Sequence, residues 1–236
     1  MKAPIILAID TSDFDTAIAW IQATKDSVSV YKLGLEFYLN FGSVGVSKII
    51  DQTGAQIFLD LKLHDIPHTV SGAAKAIASL QPKFLTVHAS GGTAMIKAAA
   101  DAVPNVAVTA VTILTSLSEG DLFEIGYASP ALESAVALAK LSVGAGAKAI
   151  VCSPLETAAI RSAIGEAPII ITPGVRPLSE MGRDDQVRTM TPADAISAGA
   201  NYVVIGRPIT NAWSDGASAM TIKARLIADE ILSAIA

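Results

Sequence analysis

The sequence holds one cysteine, Cys152, so no disulfide can form within the chain. That fits a reducing compartment. Cys152 reads as a small buried residue at a strand end, with a reactive thiol as the other possibility. Charge is also sparse: 17% of residues are charged, and the net charge is −5. No run of Lys or Arg exists, which argues against nucleic acid or an anionic membrane surface as a partner. Charges break every apolar stretch well before the roughly 18 residues of a membrane span. The N-terminal apolar run stops at Asp10 and lacks the layout of a signal peptide. These absences predict a soluble cytoplasmic protein. What is abundant is apolar: 51% of 236 residues are hydrophobic, which argues against disorder and allows one large core.

Short apolar runs alternate with helical patterns along the whole chain. The runs predict eight strands, at 5–10, 28–33, 57–62, 84–88, 106–113, 149–153, 169–172 and 202–206. Between them lie amphipathic segments. Phe14, Ile18 and Ile21 follow a helical spacing after the cap candidates Thr11 and Ser12. Ile227, Ile231 and Ile235 do the same near the C-terminus. Eight βα units in a chain of 236 residues predict an α/β fold, a single (β/α)8 TIM barrel spanning 1–236 as one domain. The alternative is an open doubly wound sheet, which usually opens on a glycine-rich turn; Asp10-Thr11-Ser12 is not one. The longest stretch without periodicity, 173–191, has the length of a functional loop.

A barrel keeps its chemistry at the C-terminal strand ends, so polar residues there carry the functional reading. The densest group is Asp60-Leu61-Lys62-Leu63-His64-Asp65-Ile66-Pro67-His68-Thr69, after the apolar run Ile57-Phe58-Leu59. In a strand, residues two apart share a face, so Asp60 and Lys62 point the same way. Asp65 follows just beyond, giving an acid–base–acid pattern. Asp10 ends the first strand, Lys32 the second and His88 the fourth; Thr115 and Ser116 follow the fifth. A structural ion pair would explain Asp60 and Lys62 alone, but buried charges in this number are costly unless compensated or used. Acids on both sides favour the ammonium form of Lys62, since an opposite charge at about 4 Å is worth roughly 4 kcal/mol at an effective dielectric of about 20. An ammonium donates a proton but cannot attack a carbonyl. His64, His68 and His88 lack metal-ligand spacing and read as structural. Strand seven runs into Thr172-Pro173-Gly174-Val175-Arg176 and strand eight into Gly206-Arg207-Pro208. Loops after these two strands commonly bind phosphate, with glycine allowing close backbone approach and arginine supplying a forked cation.

At these residues the chain resembles the orotidine 5′-phosphate decarboxylases of the bacterial type, over nearly its whole length. The resemblance rests on Asp60-x-Lys62-x-x-Asp65-Ile66-Pro67-x-Thr69, Leu85-Thr86-Val87-His88-Ala89-Ser90-Gly91-Gly92, Val111-Thr112-x-Leu114-Thr115-Ser116, Thr172-Pro173-Gly174-x-Arg176 and Gly206-Arg207-Pro208-Ile209. His68 departs from it, many members having asparagine there. The resemblance implies conversion of orotidine 5′-phosphate to uridine 5′-phosphate and CO2 in pyrimidine biosynthesis, with no metal and no organic cofactor. It implies that Asp60 sits against the departing carboxylate and that Lys62 stabilises charge at the pyrimidine C6 and then protonates it. Lys32 would join the charge network and Asp10 would bind a ribose hydroxyl. Asp65, Ile66 and Thr69 would reach into the partner's site of a homodimer. Thr115 and Ser116 would face the base. Pro173, Arg176, Gln186, Gly206 and Arg207 would complete the base-side loop and the phosphate grip.

Two other readings stay open at this point. One is a sugar-phosphate decarboxylase or synthase of the same barrel group, which shares Asp-x-Lys-x-x-Asp but usually needs magnesium. Ile66-Pro67-x-Thr69 and Thr115-Ser116 favour the nucleotide enzyme. The other is a non-catalytic barrel that binds a phosphorylated ligand; the intact charge cluster speaks against it.

Overall fold

Runs that are apolar at nearly every position suit strands buried on both faces, and branched side chains fit a pleated surface. Eight such strands form: β1 Ala3–Ala8, β2 Val28–Gly34, β3 Ile57–Leu63, β4 Phe84–His88, β5 Ala107–Val111, β6 Ala149–Val151, β7 Ile169–Thr172 and β8 Tyr202–Ile205. Each pairs in parallel with the next, and β8 pairs with β1 to close a barrel. The expected (β/α)8 barrel is therefore what the chain builds, and the open sheet is excluded. The helices are α1 Phe14–Thr24, α2 Leu35–Thr53, α3 Pro67–Ala76, α4 Gly92–Ala102, α5 Glu119–Glu124, α6 Ala131–Gly144, α7 Thr157–Ile164, α8 Pro192–Ser197, α9 Arg207–Thr210 and α10 Ala217–Ala234. This computed structural model describes residues 2–177 and 190–234. Ile235, the last member of the C-terminal spacing, lies outside them. Among the described residues no helix is long and apolar enough to cross a membrane.

The alternation of strand side chains divides the interior into two layers. Ile6, Val30, Phe58, Phe84, Ala149 and Ile171 fill the barrel itself. The Phe84 ring packs edge-on against Phe58 at 5.5 Å and Tyr202 at 5.7 Å. Their neighbours Ile5, Leu7, Leu33, Leu59, Leu85, Ile150 and Ile170 face outward into the layer under the helices. Each such fully buried side chain contributes about 1.5–3 kcal/mol.

Local chemistry sets the helix ends. Asp13, not Thr11 or Ser12, caps α1: its carboxylate accepts from the Thr16 N–H at 2.7 Å. Thr11 and Ser12 stand too far ahead of the first turn, and the Thr11 hydroxyl accepts from the Asp13 N–H instead. Pro67 opens α3, where its missing N–H costs no hydrogen bond. Gly42, at φ 58°, breaks α2 with a conformation that disfavours other residues. At the N-terminal end of the barrel, the nearly buried Arg161 of α7 donates to the carbonyls of Gly165, Pro168 and Gly199 and to Asn201 Oδ1. Asn201 Oδ1 also accepts from Ile170 N at 2.8 Å. One guanidinium thus ties the start of β7 to the turn before β8 by charge-assisted bonds.

Candidate active site

The C-terminal ends of β1, β2 and β3 bring four charges into one row. Lys62 Nζ lies 2.8 Å from Asp60 Oδ1, and Lys32 Nζ lies 3.4 Å from Asp60 Oδ2. On its other side Lys32 Nζ is 3.4 Å from Asp10 Oδ1. The order is Asp10–Lys32–Asp60–Lys62, alternating in sign. Asp60 is the buried member, its side chain 12% exposed against 65% for Asp10. Burial pushes the Asp60 carboxyl up, but Lys32, Lys62 and hydrogen bonds from Lys62 and Thr86 outweigh it and hold the group below the usual carboxylate value.

The strand that carries Asp60 and Lys62 is not regular. Leu59 pairs with Leu85, and the next partners are Leu63 and Val87, so β3 takes four steps where β4 takes two. Asp60, Leu61 and Lys62 form a bulge. Lys62 has φ 49°, a left-handed conformation that costs a side-chain-bearing residue about 1–2 kcal/mol. Asp60 and Lys62 converge as expected, but by this distortion and not by the plain two-residue period. The buried Thr86 on β4 holds it: Lys62 N donates to its hydroxyl at 2.8 Å, and the hydroxyl donates to Asp60 Oδ1 at 3.1 Å.

The acid–base–acid pattern does not close within one chain, which corrects its simplest reading. Asp65 lies beyond β3 in the exposed turn before α3, where its Oδ1 accepts from the Ile66 N–H at 2.6 Å. It forms no ion pair among the described residues. Ile66 is 64% exposed, and Thr69 is exposed beside it on α3. Neither is among the residues that line the cavity beside the row of charges.

A cavity of about 200 Å³ opens beside the row. Lys32, Asp60 and Lys62 form its charged side; Phe58, Val111 and Val204 form an apolar one. Thr115 and Pro173 are among its lining residues. Ser116 is exposed next to Thr115. A flat ring with polar edges suits such walls. Arg176 is half-buried after β7, its N–H bonded to Met190 O, so the described ends of the long loop meet. Gly206 and the exposed Arg207 follow β8 and open α9. Gln186 lies outside the described residues.

Cys152 lines the cavity from the end of β6. Burial first, then the nearby Glu156, pushes its thiol up to about 12, so it is inert as a nucleophile at neutral pH. His88 lies beside His64, with ring centroids 5.3 Å apart and ring planes tilted by 38°. Burial first, then the positive fields of His64 and Lys62, lowers its pKa against the opposing Asp60. Among the described residues no three His, Cys, Asp or Glu side chains converge as a metal-binding group. Two contributors have no role assigned from the sequence. Thr86 is a lone polar residue in the run Phe84-Leu85-Thr86-Val87, a visible signal. Gly34 ends β2, and a Cβ there would lie 3.4 Å from Lys32 Nζ and 3.8 Å from Asp10 Oδ1. Its signal was position alone, two residues after Lys32.

A second, larger cavity of about 340 Å³ lies at the opposite end of the barrel, lined by Lys2, Lys25, Lys83 and Tyr202 among others. Lys25 and Gly54, also in its wall, are the C-terminal caps of α1 and α2, so two negative helix ends border it. Its lining carries no acid, whereas the smaller cavity has both acid and amine.

The depressed Asp60 carboxyl has a consequence for stability. A group whose folded value lies below its ordinary 3.8 adds stability that is fully present above that value. The contribution is lost as pH falls through the lower, folded value. Asp60→Asn is therefore expected to be less stable than the parent at neutral pH and to approach it in acid. Urea denaturation of both proteins from about pH 7 to about pH 3 checks this. A gap that stays constant over the range contradicts it.

Comparison with known proteins agrees with the barrel fold. A protein of Thermobifida fusca (strain YX) named orotidine 5'-phosphate decarboxylase is 48% identical over 226 residues, covering 96% of this chain and 97% of that one. One of the same name from Gluconobacter oxydans (strain 621H) is 41% identical, with 99% of each chain covered. The crystal structure of orotidine 5'-phosphate decarboxylase from Lactobacillus acidophilus superposes with a TM-score of 0.82 at 34% identity, over 98% of this chain and 99% of that one. The family model described as orotidine 5'-phosphate decarboxylase / HUMPS family matches residues 3–222. With its row of alternating charges at the mouth of a closed barrel, the chain belongs to the orotidine 5'-phosphate decarboxylase / HUMPS family.

Proposed function

We propose that this chain converts orotidine 5′-phosphate to uridine 5′-phosphate and CO2 in pyrimidine biosynthesis, without metal or organic cofactor, as a single-domain cytoplasmic homodimer. The observation that carries the reading is the row Asp10–Lys32–Asp60–Lys62 beside a cavity that is also lined by apolar side chains. The relatives' shared name supports the substrate.

The chemistry explains why such a row is needed. Breaking the bond between C6 and the carboxylate leaves its electron pair on C6, in the plane of the pyrimidine. The ring π system is orthogonal to that pair and accepts little of it. Fixed charges must stabilise it instead, and they act best when preorganised in a site that excludes water. Lys62 supplies the ammonium, and its proton passes to C6 as CO2 departs; solvent then reprotonates the amine. Asp60 sits against the departing carboxylate and holds Lys62 in place, while Lys32 balances Asp60. Asp10 takes a ribose hydroxyl, Thr115 and Ser116 face the base, and Gly206 and Arg207 bind phosphate with Pro173, Arg176 and Gln186 on the loop beside it.

Asp65, Ile66 and Thr69 belong to the partner's site. Their exposure in the single chain supports this, as do further exposed apolar side chains. Leu35, at 50% exposure, and Leu39, at 81%, stand in the first turns of α2. A second copy would cover them.

The direct test adds orotidine 5′-phosphate to purified protein and follows pyrimidine absorbance, with and without exhaustive chelation. Equal turnover in both arms is expected. No turnover sinks the reading; full dependence on added magnesium points to the sugar-phosphate enzymes instead.

A further inference from the structure

We propose that Thr86 is a positioning residue for decarboxylation: its hydroxyl locks the β3 bulge so that the Lys62 ammonium and the Asp60 carboxylate are set against each other before substrate arrives. The inference rests on the assignment of Lys62 as the proton donor.

Three observations carry it. Thr86 is fully buried and lies on the interior face of β4, in step with Phe84 and His88. Its hydroxyl oxygen accepts from the Lys62 backbone N–H at 2.8 Å, and its proton goes to Asp60 Oδ1 at 3.1 Å, the Leu59 carbonyl being a longer 3.5 Å away. Lys62 itself is left-handed at φ 49°, in the segment where β3 and β4 lose register.

These fit one device. Where the ladder is interrupted, Lys62 N–H needs another acceptor, and the Thr86 hydroxyl supplies it. A backbone held in a sparsely populated conformation persists only when its surroundings over-determine it. Asp60 Oδ1 also accepts from Lys62 Nζ at 2.8 Å, so the contacts form a ring: Lys62 N–H to Thr86, Thr86 to Asp60, and Lys62 Nζ back to Asp60. Lys62 is thereby fixed at both ends, at its main chain and at its ammonium. An aliphatic residue in place of Thr86 would fill the same space and leave the ring open. The Thr86 bond also helps the two lysines keep Asp60 ionised against its burial.

The test compares Thr86→Val, which keeps the shape without the hydroxyl, with Thr86→Ser and Thr86→Ala, which differ from each other only by the hydroxyl. Val and Ala are expected to lower kcat about ten- to a hundredfold, the effect of a misplaced reacting group. KM, and the affinity for uridine 5′-phosphate, should change by less than about threefold, because the groups that bind the nucleotide remain. The acid limb of the kcat/KM profile should move to higher pH, since Asp60 loses a bond that favours its charged form. Ser should recover most of kcat. The proposal is overturned if Val and Ala keep near-parental kcat, or if Ser and Ala lose it equally. Should Val fail to fold, the Ser and Ala pair decides alone, both being smaller than threonine. Folded Lys62→Ala serves as the control. If it turns over, the Lys62 assignment fails, whatever Thr86 does. If it is inactive while Thr86→Val is normal, only the Thr86 proposal fails.

Discussion

Lys62→Ala is expected to abolish decarboxylation while leaving the barrel folded. Proton donation is worth about 10²–10⁴-fold and a fixed electrostatic contact about 10²–10³-fold, and Lys62 is assigned both, so the combined loss should reach roughly 10⁴-fold or more. The fold should survive because little of it depends on the ammonium. The Lys62 side chain is 31% exposed, and Asp60 keeps Lys32 and the Thr86 hydroxyl. The main-chain bond from Lys62 N to Thr86 is untouched by truncation at Cβ. Turnover measured beside circular dichroism and uridine 5′-phosphate affinity checks the prediction. Near-parental activity in a folded variant would remove Lys62 from the chemistry.

Mixing two inactive variants should restore activity. Asp65 has no ion-pair partner among the described residues of its own chain and lies in an exposed turn. If it completes the partner's charge row, each site needs both subunits. Lys62→Ala and Asp65→Ala should then each be inactive as homodimers. In a heterodimer one site carries both defects and the other carries neither. Random association into two-fold dimers should return about a quarter of the parental activity. Mass-tagged subunits verify exchange. Confirmed exchange without recovery shows that Asp65 does not act across the interface.

The strands were legible because doubly buried strands require apolar residues at successive positions, and the intervening charged and small residues keep the runs apart. Their ends were less so. The expected strand at 106–113 pairs only over Ala107–Val111, since a ladder stops where its neighbour's does, and β6 ends at Val151. The cap of α1 fell on Asp13 because capping depends on reach to a specific N–H, which composition does not reveal. Nothing local marks Arg161 apart from other helix arginines; its role comes from the chain turns at Gly165, Pro168 and Gly199 that converge on it.

The candidate site divides in the same way. Asp10, Lys32, Asp60 and Lys62 stood out because charge at a strand end is costly without a use. Their order in space, and the distances between them, came from barrel closure, which sets β1, β2 and β3 side by side. Thr86 and Gly34 were the converse: ordinary residues given a role by what lies across from them.

The identity and order of the elements, the end of the barrel that gathers the charges and the family are written in the sequence itself. They depend on which residues are apolar or charged and on their local spacing. The β3 bulge and the left-handed Lys62 belong to the tertiary structure alone. Each depends on contacts between residues distant in sequence, and no local pattern encodes a distance across a closed sheet.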